Sequence, residues 1–117
     1  MRSLIKVCKS LSDETRLRVL NLLLEKECCV CEVMQTLGIS QTRASRNLNI
    51  LREAGFLKLK KEGLWSLYSI DKEEMEDYLS DLINVVSKAL NGNEVLILDK
   101  NRLNKAKRVG PTHITSL

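Results

Sequence analysis

The stretch that most constrains this chain is a short apolar-faced segment, a glycine, and a longer basic segment. Val30, Val33, Met34 and Leu37 recur at helical spacing, and Gly38 ends the run. Glycine stops a helix there because it takes the left-handed turn without steric cost. Ile39 anchors the turn, and Ser40 can cap a second helix over about 41–54, with Ala44, Leu48 and Leu51 inward and Gly55 as its stop. A helix of about 30–37, a three-residue turn and a longer helix with a polar, basic outer face form a helix-turn-helix pattern.

The flanks extend the pattern. Residues 3–10 predict a short helix with Leu4, Ile5, Val7, Cys8 and Leu11 as apolar positions. Ser12 is a candidate N-cap before Asp13 and Glu14, which suit the first turn of a helix. Leu17, Val19, Leu20, Leu23 and Leu24 make its stripe, which should end near Glu25–Glu27. After Gly55, the runs Phe56–Lys61 and Leu64–Ile70 alternate polar and apolar around Glu62-Gly63, which predicts a β-hairpin placed as a wing. Asp71 with Glu74 fits a capping box for the last long helix, whose stripe is Met75, Tyr78, Leu79, Leu82, Ile83, Val86 and Leu90.

The expected fold is therefore mainly α with a small β-hairpin, a winged helix-turn-helix. The stripes of the N-terminal helix and the last long helix have no other obvious partner than a second copy. A homodimer follows, since one reading helix gives little specificity and a two-fold dimer reads a palindrome. Residues 1–92 form the expected DNA-binding and dimerisation domain. Residues 93–117 read as a basic, weakly ordered C-terminal extension, in which Glu94–Asp99 is an apolar run open to helix or strand.

The net charge of +4 is mild, but it is unevenly spread. Residues 40–70 carry six basic and two acidic side chains, and residues 71–99 carry two basic and eight acidic ones. The tail from Lys100 carries five basic residues and no acid. The middle segment and the tail are where phosphate would be met, and the acidic stretch should face away from it. The chain has no long apolar run and no signal-peptide pattern at Met1–Lys6, so it reads as cytoplasmic, with no membrane partner.

Cys28, Cys29 and Cys31 cluster at the start of the helix-turn-helix, and Cys8 stands apart. In a cytosolic chain such a cluster is a soft-metal or redox site rather than a disulfide framework. Cys29 and Cys31 do not share a face of a regular helix, so they converge only at a helix start or after distortion. Cys8 also reads as a small core residue on its apolar stripe, and Cys28 as an inert exposed thiol.

Leu11–Arg18, Cys29-Val30-Cys31-Glu32, Ser40-Gln41 through Ser45-Arg46, Leu51–Leu57 and Lys61–Tyr68 together resemble the ArsR/SmtB family of winged-helix repressors. The similarity runs over about residues 5–90. It implies a dimeric repressor that leaves its operator when a metal or metalloid binds, closest to the arsenite-responsive members. Cys29 and Cys31 align with the first two cysteines of their box. Met34 stands at the third, Cys28 replaces a leucine, and Asn47 replaces a common histidine. The acid and histidine pairs of the zinc-sensing members are absent from the last long helix, His113 being the only histidine.

The expected function is a DNA-binding repressor released by trivalent arsenic or antimony, which are soft and favour thiolates. Cys29 and Cys31 are the candidate ligands, with Cys28 or Cys8 as third donor, or a small thiol or water. Cadmium or lead, or thiol oxidation, are alternative inducers on the same fold. A constitutive architectural DNA binder is the reading from another class. An enzyme is not expected, since no Cys–His pairing or cofactor loop is present. Ser40, Gln41, Thr42, Arg43, Ser45, Arg46 and Asn49 are the candidate groove readers, as arginine pairs with guanine and Gln or Asn with adenine. Lys58, Lys60 and Lys61 on the wing are candidates for the DNA backbone or minor groove.

Overall fold

The computed structural model describes residues 1–109. Helix α1 spans Arg2–Leu11 and α2 spans Glu14–Glu25. The cap of α2 is Asp13, whose carboxylate accepts from Arg16 N at 3.0 Å. Ser12, expected in that role, instead donates to Lys9 O at the end of α1. A carboxylate satisfies the orphan N–H and complements the helix dipole at once.

The helix-turn-helix follows the sequence closely. α3 covers Val30–Leu37, Gly38 takes φ +65°, and α4 covers Gln41–Glu53 with Ser40 accepting from Arg43 N at 3.2 Å. Val33, Met34, Leu37, Ala44, Leu48 and Leu51 enter the main core beside Leu20, Leu22 and Phe56. Gly55 sits at φ +101°, and a Cβ there would lie 3.0 Å from Leu79 Cδ1. The positive φ favours glycine, and any added Cβ would also have to push Leu79 aside.

The wing is β2, Leu57–Glu62, against β3, Trp65–Ile70. Glu62 pairs with Trp65, so the turn is Gly63-Leu64 rather than Glu62-Gly63. A third strand joins them. β1, only Cys28–Cys29, pairs antiparallel with β3, placing Cys28 opposite Tyr68 and Cys29 opposite Leu67. The sheet order is β1-β3-β2.

Helix α5 spans Asp77–Ala89 and starts later than expected. Asp71 Oδ1 does accept from Glu74 N at 3.2 Å, but this closes a turn before the helix, and Glu76 is the N-cap. Leu79 and Ile83 are buried, while Val85 on α5 and Leu4 and Ile5 on α1 stay exposed.

The larger departure lies beyond residue 93. Glu94–Lys105 is not a weakly ordered extension but a helix, α6, capped by Asn93 and packed on α2 and α3. Leu103 enters the core. Asp99 is fully buried and takes both Arg18 Nε and an Arg18 terminal nitrogen, each at 2.9 Å. A two-point guanidinium–carboxylate pair carries strength and orientation, and it fastens this helix to α2. Residues 110–117, including His113, lie outside the described residues.

Candidate functional site

The cysteine cluster is divided by the local backbone. Cys29 is the N-cap of α3, with extended φ −81° and ψ 166°, and Cys31 is in its first turn. That break in the helix lets i and i+2 side chains converge, as they would not within a regular turn. Cys29 and Cys31 are joined in a disulfide, their Cα atoms 5.3 Å apart. They form a small cluster with Leu67, against which Trp65 and Val109 pack.

Cys29 also does the work of a serine in a capping box. Its Sγ accepts from Glu32 N at 3.3 Å, and Glu32 Oε1 accepts from Cys29 N at 2.9 Å. Glu32 is buried, and its carboxylate also takes Lys26 Nζ at 2.6 Å and Arg108 Nε at 3.0 Å. Burial works against its charge, but these hydrogen bonds outweigh it and hold the Glu32 carboxyl below the usual carboxylate range.

Cys28 belongs elsewhere. Adjacent strand residues face opposite sides, and Cys28 enters the main core, not the Cys29–Cys31 cluster. It is buried rather than an exposed thiol, and donates to Lys26 O at 3.4 Å. Burial, with the charge of Glu32, pushes its thiol up to about 12. At neutral pH it is no thiolate. Cys8 is exposed on α1, not a core residue, and α1 packs on α2 and α4 rather than beside the cysteine pair. Among the described residues no three His, Cys, Asp or Glu side chains are grouped to hold a metal ion. Met34 is core.

On α4, Gln41, Thr42, Arg43 and Arg46 are exposed, as is the cap Ser40, and Ser45 is half-buried. Asn49 is tied down, since its Oδ1 accepts from Tyr68 OH at 3.1 Å. On the wing Lys58, Lys60 and Lys61 are exposed, with Lys60 paired to Glu62 and Lys61 donating to Ser66. Leu64 stands out at the tip, 80 % exposed. A groove of about 280 Å³ joins these parts. Cys29, Val30 and Cys31 line one side, Gln41, Ser45 and Asn49 another, and Leu64, Trp65, Ser66 and Tyr68 the third. The cysteine pair, the reading helix and the wing thus share one wall each.

This is the family's architecture, and a model of the arsR family of bacterial regulatory proteins matches residues 13–64. The arsenic resistance transcriptional regulator ArsR2 of Pseudomonas putida is 39 % identical over 84 residues, 71 % of this chain and 72 % of that protein. The chain belongs to the ArsR family. A cadmium resistance regulatory protein CadC homolog of Staphylococcus aureus is 42 % identical over 72 residues, 61 % of this chain and 60 % of that one. Among solved structures, the homodimeric winged helix-turn-helix DNA-binding domain of Mb0332 from Mycobacterium bovis superposes with TM-score 0.64 at 29 % identity, covering 80 % and 85 % of the chains. ArsR-family chains are DNA-binding transcription regulators, and this one carries their winged helix-turn-helix.

Four residues that shape this region escape the sequence reading. Glu32 stands at N3 of α3, a position a capping acid favours, but nothing local marks it as a shared carboxylate. Arg108 and Trp65 meet the site only through the fold. The fourth is Arg16, whose guanidinium donates to Lys9 O, Ser10 O and Asn47 Oδ1, linking the end of α1 to α4.

Proposed function

We propose that this chain is an operator-binding repressor, released when trivalent arsenic or antimony binds Cys29 and Cys31. It acts as a homodimer through α1 and α5 on a palindromic site. Support for the dimer comes from the exposed apolar residues on those helices and from the homodimeric relative. One observation carries the inducer reading. Cys29 is at once the cap of α3 and a strand residue paired with the wing, so chemistry at its sulfur is felt by the first helix of the helix-turn-helix and by the wing.

Each reduced thiol displaces one hydroxyl of arsenous acid as water, forming two As–S bonds. With Cys28 protonated in the core and Cys8 elsewhere, the third position keeps hydroxide or takes a small thiol, for which the groove has room. A sulfur bound to arsenic is a poorer cap. Loss of a cap costs about 1 kcal/mol per helix. A hundredfold drop in operator affinity needs about 2.7 kcal/mol. Two lost caps per dimer come near that, and displacement of β1 from the wing adds to it.

Thiol oxidation is a second reading, favoured by the Cys29–Cys31 disulfide. Two thiols would give a disulfide, two protons and two electrons, the electrons reducing a peroxide to water. Both readings are tested on an operator selected from random duplexes by the reduced protein. Arsenite should release wild type, and Cys29→Ser/Cys31→Ser should stay bound. Release of the double variant by arsenite would disprove the site. Release of wild type by peroxide alone would transfer the assignment to oxidation.

A further inference from the structure

After α6 the backbone turns extended at Ala106, and Lys107–Val109 run back to the cysteine pair. Each of the three residues is fastened there. Lys107 exchanges two hydrogen bonds with the Gln35 amide, its O accepting at 2.6 Å and its N donating at 3.1 Å. Arg108 Nε donates to Glu32 Oε1 at 3.0 Å, and a terminal nitrogen donates to Glu27 O at 3.3 Å. Trp65 Nε1 donates to Val109 O at 2.8 Å, and the Val109 side chain packs on Cys29, Cys31 and Leu67. The pair beneath is sealed, with Cys29 2 % and Cys31 0 % exposed.

The strap and the cap share one atom. Glu32 Oε1 accepts both the Cys29 N–H and Arg108 Nε. The groove shared with the reading helix is lined by none of Lys107–Val109, so the strap covers the pair from another side. DNA lying on Gln41, Ser45 and the wing would close the groove, which leaves the strap side as the way in.

We propose that Lys107–Val109 is a strap gating Cys29 and Cys31, with Glu32 and Arg108 as positioning residues that latch it to the cysteine cap. The proposal rests on the pair being the inducer site. Val109 and Trp65 pack against the pair on this side, so an ion that comes in with the groove covered by DNA needs the strap to lift. The latch then opens at the carboxylate that holds the Cys29 cap.

The test is the labelling rate of each cysteine by N-ethylmaleimide in the reduced full-length protein, resolved by mass spectrometry. Three variants are compared with wild type: Arg108→Gln, Trp65→Phe, and a chain ending at Ala106. Opening a closed segment exposes its thiols by at least about tenfold in rate. The shortened chain should show that gain at Cys29 and Cys31, with smaller gains in the two substitutions and an unchanged rate at Cys8. The arsenite association rate should rise in the same order. Rates at Cys29 and Cys31 within about twofold of wild type in all three would overturn the strap. So would an equal gain at Cys28, which would mean general loosening of the core. Labelling needs no arsenite, so it separates failure of the strap from failure of the inducer assignment.

Discussion

Glu32 shows how much one side chain can hold. It closes the cap of α3, accepts Lys26 and Arg108, and sits 1 % exposed beside the cysteine pair. Its folded carboxyl is lowered from the ordinary 4.5, so the stability it contributes is complete above that value and fades as pH falls through the lower folded one. Glu32→Gln should therefore cost about 1–3 kcal/mol at pH 7 by leaving charged donors short of a partner. It should also flatten the loss of stability below about pH 4.5, read by denaturant unfolding across pH. A variant with the wild-type acid limb would show that the stability lost at low pH comes from another carboxylate. Cys28 illustrates the opposite case. It is an inert core residue by placement, although its neighbours in sequence are the candidate ligands.

At the scale of elements, α6 is the piece that periodicity could not place. Glu94–Asp99 is apolar enough for either a helix or a strand, and Arg18, which pairs with Asp99, is far away in sequence. Asp99→Ala would leave the Arg18 guanidinium facing a mostly buried gap. Removing one member of a buried pair costs about 3–5 kcal/mol, and less here because Arg18 still reaches water. The unfolding midpoint should fall accordingly at fixed protein concentration. Because the strap follows α6, Cys29 and Cys31 should also label faster in Asp99→Ala. A stable protein with unaltered labelling would show that α6 is docked by its apolar residues alone. The same lesson holds for β1. A two-residue strand has no readable alternation, and its existence depends on β3 lying alongside.

Taken as a whole, the molecule separates its charge by element. Basic side chains lie on α4 and the wing, and six of the eight acids of residues 71–99 lie on α5 or in the segment just before it. Lys58→Gln should weaken binding to specific and random duplexes alike. It should also reduce the salt slope of log affinity by about one per protomer, as for one lost phosphate contact. Asp81→Asn, exposed on α5, should change affinity less than about twofold at physiological salt, since screening falls within a Debye length. A loss on Asp81→Asn as large as that on Lys58→Gln would place α5 against the DNA.

Sequence alone determined what is local here. The spacing of Val33, Met34 and Leu37, the glycine at residue 38 and the Ser40 cap are each satisfied within one turn of chain. The helix-turn-helix could therefore be read residue by residue. The Cys29–Cys31 pairing was half legible, because the helix start that brings them together is also local. Tertiary structure alone decided the rest. It split Cys28 from its neighbours through strand pleating against β3, docked the helix of residues 94–105 with Asp99 on Arg18, and laid Lys107–Val109 across the pair. These outcomes depend on burial and on charged partners distant in sequence, and no local pattern records where such groups will meet.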